Sequence, residues 1–358
     1  MRAAVLHRIG DETLDVRELA TAPVEPGRVR VRVHKAALCH SDLSAMAGVL
    51  IHPAPFVPGH EGAGEVVEVG DGVTNVRPGD RVIVCWMPPC DRCPACRGGY
   101  GHLCRSGYAS LARPGFRDGA IQLPGIVGAG TFAEQTVIAA TAAIPIPDDL
   151  PYEIAALIGC GVTTGIGAVL NTAQVQPGSS IVVVGLGGVG ISIIQAAVVA
   201  GAGTILAVDP TANRRDLALR FGATEAVGPD ELASARKRIT ANVGFDYAFE
   251  AVGNPATLRA AYDAARAGGT VCLVGVGAGS ETPPLSMAEL VMNEKKILPS
   301  FYGGGDVPRT FATVIDLWRT GRVDLASMIT HRVPLAGVND AIRQMRTGEA
   351  LRTVIDIG

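Results

Sequence analysis

Aromatic residues are only 4% of this 358-residue chain, and just two are tryptophan. A core this poor in rings must rest on Val, Ile, Leu and Ala. Charge is sparse as well, at 18% with a net −3. That leaves no basic footprint for nucleic acid and none for an anionic membrane. A long apolar run is also missing. The richest stretch, "ISIIQAAVVAGAGTILAV" (191–208), is interrupted by Gln195 and small turn-like residues. A membrane helix needs about 20 predominantly apolar residues, so the stretch reads as a buried helix, a glycine turn and a strand. No apolar segment of signal-peptide length precedes Asp11 and Glu12. The expectation is a soluble, cytoplasmic protein with no nucleic-acid or membrane partner. Its 48% hydrophobic content excludes disorder, and its length suggests two domains.

Glycine is abundant instead, with 45 residues. Up to about residue 150, short β-like runs alternate with Gly/Pro turns. "RVRVRVHKAAL" alternates at period two, and "GAGEVVEVGDGVTNVRPGDRVIV" reads as strand, turn and strand. This predicts a compact antiparallel barrel. In "PIPDDLPYEIAAL", Asp148 and Asp149 are candidate caps for a helix through Ala155. From about 179 the pattern becomes strand, glycine-rich turn, helix, strand. "FDYAFEAVG" and "GTVCLVGVG" supply later strands, with a helix over "NPATLRAAYDAARAG" between them. Strands alternating with helices predict a parallel sheet, so the fold class is mixed α/β. A helix over "VPRTFATVIDLWRTGRV" and a last strand "LRTVIDI" follow.

Four of the eight cysteines crowd into "CDRCPACRGGYGHLC" as Cys90, Cys93, Cys96 and Cys104. In a reducing compartment such a cluster points to metal rather than disulfides. A tetrahedral four-thiolate zinc fits the spacing, with an iron–sulfur cluster as rival. Four thiolates fill a zinc ion's coordination, so this site would be structural and the chemistry would lie elsewhere. Cys39 in "ALCHSD", His60 with Glu61 in "PGHEGAG", and Cys160 in "LIGCGVTTG" form a second, scattered set. A catalytic zinc takes three such ligands and keeps one position open. Taken singly, a lone Cys is most often a small buried hydrophobe, and a His followed by Glu is usually a surface or turn pair.

"VVVGLGGVG" places Gly185, Gly187 and Gly190 as G-x-G-x-x-G between a β-branched run and an apolar helix. Asp209 follows nineteen residues after Gly190, at the end of the next run. This is the dinucleotide-binding pattern, and the acidic residue favours NAD over NADP. Arg214 and Arg215 keep a 2′-phosphate as the second option.

Taken in order, "CHSD", "GHEGAG", the cysteine lobe, "GCGVTTG", "GLGGVG" with "VD", and the terminal "GEALRTVI" cover essentially the whole chain. Together they resemble the zinc-dependent medium-chain alcohol dehydrogenases. The resemblance implies a GroES-like catalytic domain from 1–161 and 302–358, and a Rossmann domain from 162–301. It implies two zinc ions per chain: a catalytic one on Cys39, His60 and Cys160, and a structural one on the lobe. NAD would be held by Gly185, Gly187, Gly188, Val189 and Gly190, by Asp209 and Arg214, by Val252, Val274 and Val276, and by His40 and Arg352 at the pyrophosphate. Asp42 would orient His60, Glu61 would lie behind the metal, and Ser41 would start a proton relay. The implied reaction is reversible oxidation of a primary alcohol by hydride transfer from a zinc-bound alkoxide to NAD. Leu50, Trp86, Met87, Ile126, Val127, Val276 and Phe301 would line the substrate pocket, and a tryptophan near the metal favours small primary alcohols. Many relatives carry a histidine five residues after the first ligand, as the outer end of the relay. Here that position is Ser44, so water, or else His52, would finish the relay. Three rivals stand beside this reading: a thiol-dependent formaldehyde dehydrogenase anchored by Arg105, Arg113 or Arg117, a dehydrogenase that never releases its cofactor, and a non-catalytic binding protein. A homodimer is expected, with "ILPSFYGG" (297–304) as the pairing edge.

Overall fold

The computed structural model describes residues 1–358. They divide into two compact units. One is Met1–Cys160 with Asp306–Ile315 and Leu325–Gly358; the other is Gly161–Gly305 with Asp316–Asp324. The C-terminal stretch expected whole in the first unit is therefore divided, with 302–305 and 316–324 grouping in the second. The helix Val307–Arg319 begins in one unit and ends in the other.

The first unit is organised around the eleven-residue strand Arg28–Leu38. Its period-two sequence buries Val29, Val31 and Val33 and turns Arg32 to solvent, as alternation dictates for a half-buried strand. One edge of this strand pairs with Glu61–Val69. The other pairs with Gln135–Ala139 near its start and with Arg352–Asp356 near its end. The sheet runs on through Arg81–Val84 to Ala143–Pro145 on one side and to Ile329–Pro334 on the other. All pairings are antiparallel except the last. That last strand was not anticipated, because its outer positions are half-exposed and its apolar alternation is weak.

The second unit carries a six-stranded parallel sheet. Counting its strands along the chain, their spatial order is 3-2-1-4-5-6, the doubly wound dinucleotide-binding arrangement. The runs Ser180–Val184 and Thr204–Val208 are apolar on both faces and almost wholly buried, as helices on both sides of a sheet require. Lys296–Pro299 forms the open edge.

Two local expectations change. The helix Tyr152–Leu157 starts at Pro151 with no side-chain cap, because Asp148 and Asp149 are taken up in the preceding turn. The helix Pro255–Ala264 is capped by the Asn254 side chain and stops where the strand Ala265–Leu273 begins. The helical run Tyr152–Ala173 is long and apolar enough to span a bilayer, yet 89% of its apolar window is buried inside the protein. It is a core element.

Candidate active site

Strand register builds the first site. Glu61 lies opposite Ala37 and Thr353 lies opposite Leu38. Cys39 leaves the end of the central strand at the height where both neighbours begin, which brings it beside His60–Glu61 on one side and Arg352 on the other. A π-helical turn, Ile158–Val162, delivers Cys160. One ligand atom each from Cys39, His60, Glu61 and Cys160 lies within 4.8 Å of the others, and all four residues are buried.

Asp42, on the helix His40–Met46, is fully buried and fastens this cluster. Its carboxylate accepts the Cys39 N–H at 3.1 Å, the Gly59 N–H at 3.0 Å and His60 Nδ1–H at 3.1 Å. His60 Nε2 is left buried with no hydrogen-bond partner. A buried, unpartnered ring nitrogen facing two thiols is costly unless an ion completes it. The hydrogen bond with Cys160 is the main cause holding the Cys39 thiol well below its usual pKa, and His60 and Arg352 add to it against the effect of burial. Burial opposes the charged His60 ring, but Asp42 and Cys39 push it up to about 10. The Cys39 thiol is thus biased toward thiolate, the form that metals bind, and the two-thiol, one-imidazole donor set fits zinc.

Arg352 was expected at a pyrophosphate. In the structure it is 3% exposed and forms a buried ion pair with Glu61. Thr131 donates its hydroxyl to the Glu61 carbonyl at 3.1 Å. Neither pairing was legible beforehand, because both depend on register between distant segments. His40 points into solvent.

The cysteine lobe also fits its metal. The Sγ atoms of Cys90, Cys93, Cys96 and Cys104 lie within 4.8 Å of one another, and all are free thiols. The Cys93–Cys104 separation is 4.0 Å, close to the roughly 3.8 Å edge of a tetrahedron with 2.3 Å zinc–sulfur bonds. Backbone N–H groups of Arg92 and Cys93 lower Cys90 to about 6, while desolvation raises Cys96 to about 12.

In the second unit, the strand Ser180–Val184 turns through the glycines into the helix Gly188–Val199. Gly185 has φ +95°, and a Cβ on Gly190 would lie 1.9 Å from the Gly185 carbonyl oxygen. Only glycine serves at either place. Gly187 faces open space, and Gly188 and Val189 form the half-buried first turn of the helix. Open N–H groups at a helix N-terminus suit an anion. Asp209 ties this turn to the next strand by accepting the Leu186 N–H at 2.9 Å and the Thr211 N–H at 2.8 Å. Arg214 stands 3.9 Å from the same carboxylate. Arg215 is engaged by the Asp209 and Pro210 carbonyls. Val252 lines a cleft of about 200 Å³ together with Gly185, Asp209 and Thr257. Val274 is buried and Val276 is 56% exposed.

The expected pocket residues fall in several places. Leu50, Ile126 and Val127 pack in one cluster with Leu43, Met46 and Phe56. Val127 holds φ 43°, a strained value for a β-branched residue. The Trp86 ring stands edge-on to His60, with centroids 6.3 Å apart, and Met87 is fully buried. Val276 and Phe301 belong to the second unit. His52 lies against Phe56 at 4.4 Å, and burial lowers its pKa.

Comparison with known proteins follows this division. Residues 25–148 match the model of the alcohol dehydrogenase GroES-like domain, and residues 188–320 match that of zinc-binding dehydrogenases. The chain is 37% identical to the S-(hydroxymethyl)glutathione dehydrogenase of Escherichia coli O139:H28, over 99% of each chain. Among solved structures it resembles the benzyl alcohol dehydrogenase of Acinetobacter calcoaceticus, with TM-score 0.92 and 28% identity over 100% of this chain and 99% of that one. It also resembles an alcohol dehydrogenase zinc-binding domain protein of Burkholderia ambifaria, with TM-score 0.91 and 32% identity over 100% and 98%.

Proposed function

Since the chain belongs to the zinc-dependent medium-chain alcohol dehydrogenase family, we propose that it oxidises a small primary alcohol to its aldehyde, reversibly, with NAD. Its cofactors are zinc and NAD. The observation that carries the proposal is the buried Cys39–His60–Cys160 set, with Asp42 orienting His60 and Nε2 left for a ligand. When bound, zinc supplies Lewis acidity to the alcohol oxygen and NAD takes up the hydride.

The chain's own residues then have definite tasks. Asp42 fixes the His60 tautomer and the backbone at Cys39. Arg352 balances the Glu61 carboxylate, so no bare anion sits behind the ligands. Ser41, one residue before Asp42, receives the proton leaving the alcohol and passes it outward. The Gly185–Gly190 turn receives the pyrophosphate. Asp209 accepts the adenosine ribose hydroxyls and repels a 2′-phosphate. Trp86, edge-on to His60, narrows the space beside the ligands.

The relatives at 37% identity support a second reading, oxidation of the hydroxymethyl adduct of glutathione. That substrate carries two carboxylates and an ammonium group. The loop 47–58, between the Asp42 helix and His60, has no Asp, Glu, Lys or Arg, and Arg113 is paired with Glu25 at 3.2 Å. The uncharged loop favours the simple alcohol, although Arg105 and Arg117 are exposed. NADH formation from NAD with benzyl alcohol, set against formaldehyde plus glutathione, decides between them. A higher kcat/KM for benzyl alcohol is expected; a large advantage for the adduct would reverse the order. No turnover with either, in protein that releases a nucleotide on denaturation, would indicate retained cofactor.

We propose a homodimer as well. The edge strand Lys296–Pro299 lies open, and on the preceding helix Met287, Val291 and Met292 are 84%, 74% and 83% exposed. Covering this apolar group is favourable. A monomeric mass by light scattering would refute the dimer.

A further inference from the structure

Glu250 closes the fourth strand of the parallel sheet, Phe245–Glu250, and is fully buried. Its Oε1 accepts three hydrogen bonds of 2.8 Å each, from the Val252 N–H, the Gly253 N–H and the Thr257 hydroxyl. Its backbone carbonyl accepts the N–H groups of Val274 at 2.9 Å and Gly275 at 3.0 Å. One residue therefore holds the turn that leaves its own strand and the turn that leaves the next. Both turns press on neighbours with no room to spare. A Cβ on Gly185 would meet Val252 Cγ2 at 2.5 Å, and one on Gly275 would meet Gly253 N at 2.1 Å. Gly253 has φ +91°, a conformation that its neighbours must hold in place.

A buried carboxylate is expensive for a fold unless its hydrogen bonds compensate. Here Oε1 is bonded three times and Oε2 is buried with no partner. An apolar side chain would satisfy the strand's packing without that burden. What it would not supply is the three-way acceptor that fixes Val252–Gly253. Val252 and Thr257 share their cleft with Gly185 and Asp209.

We propose that Glu250 is a positioning residue for the dinucleotide: it holds the Val252–Gly253 turn in the conformation that receives the cofactor, and so sets cofactor affinity without touching the reacting atoms. This rests on the reading that the second unit binds NAD at its glycine-rich turn. The test is calorimetric titration of NAD into the purified, zinc-loaded protein and three variants, with thermal melts taken in the absence of nucleotide. E250Q keeps an acceptor oxygen for the same three donors and is expected to bind NAD within about twofold of the native protein. E250A removes the acceptor, and E250D keeps the charge but withdraws it by one methylene. Both are expected to weaken NAD binding by about tenfold or more. If E250A fails to fold, the contrast between E250D and E250Q carries the test. Native-like affinity in E250D or E250A overturns the proposal. So does an equal loss in all three variants that tracks their cofactor-free melting temperatures, since that marks a structural role alone. A native protein that binds no NAD would overturn the reading of the second unit itself.

Discussion

The chain's two thiol clusters use the same donor atom in opposite ways. The lobe takes Cys90, Cys93, Cys96 and Cys104 from one short stretch, and three of the four are only half-buried. Cys39, His60 and Cys160 come from a strand end, a strand start and a helical turn, and all are buried. The lobe can close by local loop geometry, with little help from the surrounding fold. The buried cluster exists only if the strands Arg28–Leu38 and Glu61–Val69 hold register and the Ile158–Val162 turn brings Cys160 to them. A full four-thiolate set suits a structural metal, whereas the mixed set with an oriented imidazole leaves room for an exchangeable ligand.

The largest expected effect breaks the buried cluster alone. His60→Ala should take the zinc content from two per chain to about one and lower kcat/KM by about 10³ or more, since Lewis-acid stabilisation is worth several kcal/mol. Elemental analysis beside steady-state kinetics checks both. Retained activity with one zinc gone would mean that the chemistry does not depend on this cluster. Asp42→Asn comes next. Its amide can still accept from Cys39 or Gly59, but it is a poorer partner for His60 Nδ1–H. A loss of about 10–100-fold in metal affinity or activity is expected, recoverable in part with added zinc. Activity unmoved by zinc would argue against an orienting role.

Cys93→Ser turns the comparison round. The lobe metal should be lost and the melting temperature should fall by about 5–10 °C. The fraction that remains folded should keep kcat/KM within a few-fold. A collapse of kcat/KM at full folding would make the lobe part of the catalytic machinery and dissolve the contrast.

The same contrast explains what the sequence could reveal. The lobe was readable from spacing alone, because its ligands are neighbours in the chain. The glycine-rich turn was readable because sterics demand glycine at Gly185 and Gly190. Cys39, His60 and Cys160 say nothing singly; their grouping was visible only through resemblance of the whole motif order. The Arg352–Glu61 pair escaped notice because it rests on register between segments far apart in the chain, and the Glu250 clamp because it depends on the backbone conformation of the turn that follows its strand. A charged residue at the end of the apolar run "FDYAFE" was the available signal for Glu250. The expected Asp148 or Asp149 cap failed for a local reason: Pro151 begins the helix and the aspartates stay in the turn before it.

The smallest predicted effect concerns the helix that carries Asp42. Ser44 is three residues after Ser41 on the helix His40–Met46, and residues three apart on a helix share a face. Ser41 is half-buried, as is Ser44. A serine hydroxyl can pass a proton on but is no base near neutral pH, so a relay running past Ser44 would end on water or on His52. Ser44→His would place an imidazole there, with an ordinary pKa of about 6.5. Above that value the ring is neutral and can accept the proton; below it the ring is charged and cannot. The gain should therefore be largest at about pH 6.5–7.5, with kcat about threefold above native, and should fade at higher pH, where hydroxide does the same work. An unchanged pH–rate profile would mean that the proton leaves by a route that does not pass position 44.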